Sequence, residues 1–203
     1  MSTEDKVWVG VDPGGKKHFG VAIIGVGRRP LTFCANCADE AVDIVLREAS
    51  VAPAGLGVDS PLWLSSGPSG DRAADCWVRK ERRGNAQAIN SLRGAVLVQG
   101  LMFVQRMRER FPSVNVTEVH PKALLKDKGE GYWTSFFTEI GTRTPVAVHS
   151  DKDHERDALI AAIAARQGFC GHWQHDLALL DPLPGEQTPP ERSLRPVHYF
   201  WPE

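Results

Sequence analysis

No stretch of this 203-residue chain is apolar for long enough to span a bilayer. Its first residues, Met1-Ser2-Thr3-Glu4-Asp5-Lys6, lack the basic start and apolar run of a secretory leader. These absences point to a cytoplasmic protein with no membrane partner. Charge of one sign is lacking too: 24 Lys and Arg face 25 Asp and Glu, a net charge of −1. No whole-molecule field therefore gathers polyanions, and any nucleic-acid contact must come from a local patch. Cysteine is sparse. Cys34 and Cys37 form the one C-x-x-C, while Cys76 and Cys170 lie far apart, so a zinc site would have to borrow His172 and His175, and ordinary reduced thiols are the plainer reading. A hydrophobic content of 42% supports one full core rather than two small ones.

What the chain does have is a twinned tripeptide. Val7-Trp8-Val9-Gly10-Val11-Asp12 runs into Pro13-Gly14-Gly15, and Gly55-Leu56-Gly57-Val58-Asp59 runs into Ser60-Pro61. Each is an apolar run stopped by turn chemistry. Apolar runs without alternation imply burial on both faces, as in parallel strands, so Asp12 and Asp59 should emerge at one carboxyl edge, where ligand sites of open α/β sheets gather.

The remaining pattern is that of an α/β domain. His18 to Gly25 reads as a strand hairpinned to the first, Leu31 to Ala35 as a third strand, and Asp39 to Glu48 as a helix with acids in its first turn. The Gly57 strand would return parallel to the first through a right-handed crossover. A helical period runs from Gln87 to Phe111, and Val114 to His120 is a fifth strand. Residues 127–149 read as a short helix within a long loop. A last helix is expected from about Ser150 to Gln167, and the proline-rich tail beyond it as irregular chain whose Tyr199-Phe200-Trp201 docks on the domain.

On that last helix Asp153 and Asp157 share a face, with His154 beside them. If the face looks at the carboxyl edge, it joins Asp12, Asp59 and Glu118. Carboxylates crowded in one cleft repel by about 4 kcal/mol per pair at 4 Å and an effective dielectric near 20, so they call for a counter-charge. Mg²⁺ or Mn²⁺, as one or two ions, suits an all-oxygen donor set. Asp12, Asp59, Asp153 and Asp157 are the candidate metal ligands. Such a centre supports phosphodiester displacement.

These motifs resemble a domain-of-unknown-function family of predicted RNase H-like nucleases. The resemblance rests on Gly10-Val11-Asp12, Asp59-Ser60-Pro61-Leu62, the Arg72/Asp75/Arg79 region, Glu118-Val119-His120-Pro121 and His154-Glu155-Arg156-Asp157-Ala158-Leu159. The last motif is also similar to that of Holliday-junction resolvases. The resemblance implies a ribonuclease H-like fold over residues 1–175, a five-stranded mixed sheet built from a three-strand meander and two parallel strands flanked by helices, with residues 176–203 as a docked tail. It implies a metal-dependent nuclease in which Asp12, Asp59 and Asp157 are ligands, His154 is an accessory catalytic group and Glu118 assists. Glu40 and Glu48 are the candidates for the helix carboxylate that ribonucleases H carry.

The partner would then be DNA or RNA, of hybrid, branched or single-stranded form, bound by a monomer or a homodimer. Lys16, Lys17, Arg72, Arg79 and Arg83 are the candidate phosphate contacts, and Trp63, Trp77, Tyr132 and Trp133 are aromatics able to stack bases or fill the core. Plainer readings stand beside each assignment. Asp12 and Asp59 can be turn residues, and Ser150-x-x-Asp153 fits a capping box. His154 can be a solvated helix residue, Glu118 can pair with Lys122, and the arginines can form a solvated face. At the level of the whole chain, the alternatives are an inactive RNase H-like scaffold that binds nucleic acid or protein and, further off, a phosphotransferase of the sugar-kinase and actin type.

Overall fold

The computed structural model describes residues 6–25, 29–68, 70–82, 91–142, 144 and 153–203. Strands β1 (Val7–Asp12), β2 (Phe19–Gly25) and β3 (Leu31–Ala35) form an antiparallel meander. Helix α1 (Ala38–Glu48) crosses to β4 (Gly55–Val58), which pairs parallel to β1, and β5 (Asn115–Glu118) pairs parallel to β4. The five-stranded mixed sheet therefore has the order β3-β2-β1-β4-β5, with β1 at its centre. Every residue of β1 is buried, as its unbroken apolar run requires.

Between β4 and β5 lie α2 (Ala73–Arg82) and α3 (Ser91–Arg110), and after β5 come α4 (Pro121–Glu139) and α5 (Asp153–Phe169). Side chains alternate along a strand, so neighbouring Phe19 and Gly20 of β2 face opposite sides. The Phe19 ring meets Phe103 of α3 at 6.1 Å between centroids, while Gly20 faces α5. The sheet thus has α5 on one face and α1 together with α3 on the other.

Helix α5 seats unusually close to the sheet because three adjacent strands offer it glycine. A methyl group on Gly10 would lie 2.0 Å from the Ala158 carbonyl oxygen, one on Gly20 would lie 2.1 Å from that of His154, and one on Gly57 would lie 1.9 Å from that of Ala161. Gly10 and Gly57 are register partners across β1 and β4. The helix answers with its own small face, and Arg156 to Ala165 are buried without a break. A helix apolar on all sides belongs inside a protein, and this one packs between the sheet and α4.

Of the segment expected to be a short helix in a long loop, residues 127–139 belong to a longer helix, α4, while residues 143 and 145–149 lie outside the described residues. Pro121 starts α4 at the first helical position, and the helix runs to Glu139 through a kink at Gly129 (φ 77°). Its threonines do not break it, because Thr134 and Thr138 donate their hydroxyls to the carbonyls of Glu130 and Thr134, four residues back. The expected starts of the two long helices at Gln87 and Ser150 lie outside the described residues.

The tail is more ordered than its prolines imply. It forms a two-stranded sheet, β6 (His175–Asp176) with β7 (Phe200–Trp201), and two short 3-10 turns at 177–179 and 189–191. His198 adds to the edge of β5, donating its N–H to the Val116 carbonyl at 3.0 Å and accepting the Glu118 N–H at 2.8 Å. Tyr199 and Trp201 are buried in the same core as β1 and α5. No helix among the described residues is long and apolar enough to cross a membrane.

Candidate active site

The twin aspartates are neighbours. Val11 pairs with Val58, and the Asp59 N–H donates to the Val11 carbonyl at 2.9 Å, so both chains leave the sheet side by side. The glycine seat then fixes the third carboxylate. Contact of Ala158 with Gly10 and of His154 with Gly20 carries the first turns of α5 to the end of β1. Asp12 is 8% exposed and Asp157 is fully buried, while Asp59 is half-buried.

Their charges act on one another. Burial pushes Asp12 from an ordinary 3.8 up to about 7, with Asp59 and Asp157 adding to the rise and His154 opposing it. Burial also lifts Asp157 to about 6, again with help from Asp59 and against Arg156 and Lys122. The His154 Nδ1 lies 2.5 Å from the Asp12 Oδ2, and this bond raises the histidine's pKa against the effect of burial. Asp12 and His154 thus hold a proton between them near neutrality.

Asp157 is asymmetric. Its Oδ1 accepts from Nε and Nη2 of buried Arg156 at 2.7 and 2.5 Å. Its Oδ2, equally buried, has no hydrogen-bond partner among the described residues. A buried polar atom left in that state costs about 1–3 kcal/mol, which a protein tolerates where something else is meant to bind. Among the described residues, no three His, Cys, Asp or Glu side chains are already drawn into a ligand cluster, a statement that covers the C-x-x-C as well as the carboxylates. The donor chemistry nonetheless fits a hard divalent cation: carboxylates that repel one another, one with an unused buried oxygen.

Around these groups lie others that the sequence reading missed or underused. The His18 ring is 5.0 Å from that of His154, His120 Nδ1 is 3.7 Å from Asp59 Oδ1, and Lys122 Nζ is 3.9 Å from Oδ2 of both Asp153 and Asp157. His120 and Lys122 flank the Pro121 that starts α4, directly beyond a strand ending at the same edge. That position was the available signal. Asp153, at the first residue of α5, is also 3.7 Å from His154 Nε2. Lys16 and Lys17 are exposed in the turn after Asp12, with Lys17 in the left-handed region at φ 65°.

Two assignments, those of Glu118 and Arg72, are corrected. Glu118 does not open into the cleft. Its carboxylate takes Arg72 Nη2 and Nη1 at 2.6 and 2.7 Å and the Leu62 N–H at 2.8 Å. Arg72 is 1% exposed, pairs also with Asp75, and lies over the Trp63 ring at 4.3 Å, so it is no phosphate contact. Burial works against its charge, yet Glu118 and Asp75 outweigh burial and hold the guanidinium protonated well above its usual range. This network fixes the chain just after Asp59. Trp63 and Trp133 fill the core, the plainer of the two readings of the aromatics, Trp77 packs on Trp201, and Tyr132 packs on Trp133. Arg79, partly exposed, pairs with Asp71 at 2.7 Å, and Arg83 lies outside the described residues. Glu40 is bonded to Asn36 and Glu48 to Arg47. Cys34 and Cys37 form no disulfide.

The fold and site together define an α/β protein with three carboxylates, Asp12, Asp59 and Asp157, at the carboxyl edge of a mixed sheet. No family model matches the chain, and no curated protein or solved structure matches it at a significant level.

Proposed function

We propose that this protein is a divalent-metal-dependent nuclease of ribonuclease H-like fold, in which Asp12, Asp59 and Asp157 hold Mg²⁺ or Mn²⁺. One observation carries the reading: Asp157 presents a buried, unpartnered Oδ2 beside two further carboxylates at one sheet edge. The strand order, a meander joined to two parallel strands, supports the fold assignment.

The cation, when bound, would acidify a water and neutralise charge on a phosphodiester. The residues' own parts are separable. Arg156 occupies one oxygen of Asp157 and so fixes the direction of the other. His154 orients Asp12 through Nδ1, and its Nε2 is free of Asp12 to pass a proton at the cleft. Lys16 and Lys17, exposed beside Asp12, offer ammonium groups to a nucleic-acid backbone, the local patch that a net charge of −1 requires.

The test is cleavage of labelled single-stranded, branched and RNA–DNA hybrid substrates with Mn²⁺, comparing the wild type with Asp12→Asn. Cleavage of at least one substrate should fall to background in the variant while circular dichroism stays unchanged. Cleavage that survives Asp12→Asn sinks the assignment, and binding without turnover on every substrate favours the scaffold alternative.

A further inference from the structure

Lys122 occupies a position that helix stability does not explain. It sits at the second residue of α4, in a first turn that contains no acid, where the helix dipole opposes a cation. Its side chain is 57% exposed, yet its ammonium is equidistant, at 3.9 Å, from Oδ2 of Asp153 and Oδ2 of Asp157. At that distance it is an ion pair without a hydrogen bond, so it leaves the Asp157 oxygen unsatisfied. The other cation on Asp157, Arg156, is fully buried and committed to Oδ1. One cation is therefore locked in place, and the other stands at the mouth on a flexible stem.

We infer that Lys122 is a tethered counter-cation that guards the Asp153 and Asp157 edge in the metal-free protein, competes with a divalent ion there, and is released to take a phosphate oxygen once that ion binds. The inference rests on the nuclease reading and adds an order to it: metal first, nucleic acid second. Repulsion between a divalent ion and an ammonium a few ångströms away supplies the displacement, and a strongly hydrated point charge on a long stem is suited to moving between two anions.

The test uses Lys122→Met, which keeps the length of the stem and removes the charge, with Lys122→Arg as the charge-retaining control. Mn²⁺ alone is titrated into metal-free protein by calorimetry, and a fluorescent single-stranded oligonucleotide is titrated into protein saturated with Ca²⁺. Lys122→Met should bind Mn²⁺ about five- to tenfold more tightly, after allowing for solvent screening of an exposed charge, and should bind the oligonucleotide more weakly. Lys122→Arg should resemble the wild type in both. A merely structural lysine would give losses in both titrations, not opposite signs. Mn²⁺ affinity that is unchanged or weaker in Lys122→Met overturns the inference and leaves the nuclease reading standing, as does an unchanged oligonucleotide affinity. Failure of both wild type and Lys122→Met to bind Mn²⁺ overturns the two together.

Discussion

At the scale of single residues, the cleft works against the stability of the fold that holds it. Asp12 and Asp157 in the folded chain keep protons that the unfolded chain gives up near pH 4. Between that pH and about 7 the native state binds more protons, so stability falls as pH rises. His154 acts with the same sign. Its raised pKa contributes stability that is complete below the ordinary histidine range and is lost as pH rises through the folded value. The metal-free protein, held in chelator, should therefore melt at a higher temperature at pH 5 than at pH 8, and saturating Mn²⁺ should flatten that difference. Scanning calorimetry at the two pH values checks both. A melting temperature that rises toward pH 8 in chelator would contradict the burial of these carboxylates.

The same reasoning separates Asp12→Asn from an ordinary core lesion. The amide removes a buried charge but keeps an oxygen able to accept from His154 Nδ1. At pH 7.5 without metal the variant should be more stable than the wild type by about 2 kcal/mol, less than the full pKa shift would give because the charge-assisted bond is weakened. This corresponds to a melting temperature higher by about 5 °C. Stabilisation combined with loss of metal-dependent cleavage is the signature of a functional carboxylate. Destabilisation would return Asp12 to the status of a turn residue.

At the scale of elements, the glycines of the twin motif matter as much as its aspartates. Gly10→Ala or Gly57→Ala would drive a methyl group to about 2 Å from the α5 backbone. A helix backbone cannot yield as a side-chain tip can, so each should cost about 3 kcal/mol and lift α5, with Asp157, away from Asp12. Urea midpoints measure the first effect and Mn²⁺ affinity the second. A variant that folds with unchanged stability would show that α5 is not seated as described. This also explains what was legible in the sequence. Apolar runs, turn residues and the acid-rich start of α1 mark the strands and that helix directly, because local chemistry decides them. The role of Gly10 and Gly57 was hidden, since close approach depends on a helix more than 100 residues away. So was the fate of Glu118: a strand-end acid looks the same in sequence whether it faces a cleft or a buried arginine 46 positions earlier. Helix α4 was misjudged because glycine and threonine lower helix propensity, whereas packing of Trp133 and Phe137 into the core overrides it.

At the scale of the whole molecule, the tail is a structural support for the loop that follows Asp59 rather than an appendage. Residues 185–187 run beside the loop that leaves Asp59: Ser66 N–H donates to the Gly185 carbonyl at 2.7 Å, and Leu64 and Gln187 exchange bonds at 3.0 Å. Glu186, 7% exposed, accepts three donors, the buried Trp63 Nε1 at 2.8 Å and the part-buried N–H groups of Ala73 at 2.7 Å and Leu183 at 3.0 Å. Trp63 itself is gripped between Arg72 and Arg192, whose guanidinium carbons lie 4.3 and 4.1 Å from its ring. The loop carrying Asp59 is thus held from beneath by Glu118 and Arg72 and from outside by the tail. Glu186→Ala leaves the buried Trp63 donor without its partner and two part-buried N–H groups to water, and should cost about 2 kcal/mol, whereas Glu186→Gln, which keeps an acceptor oxygen for part of the set, should cost about 1 kcal/mol. Denaturant titration followed by far-ultraviolet circular dichroism resolves the two. Equal losses from alanine and glutamine would mean that the negative charge, which acts on Arg192, matters more than the hydrogen bonds. Loss in neither would mean that the tail does not brace the loop.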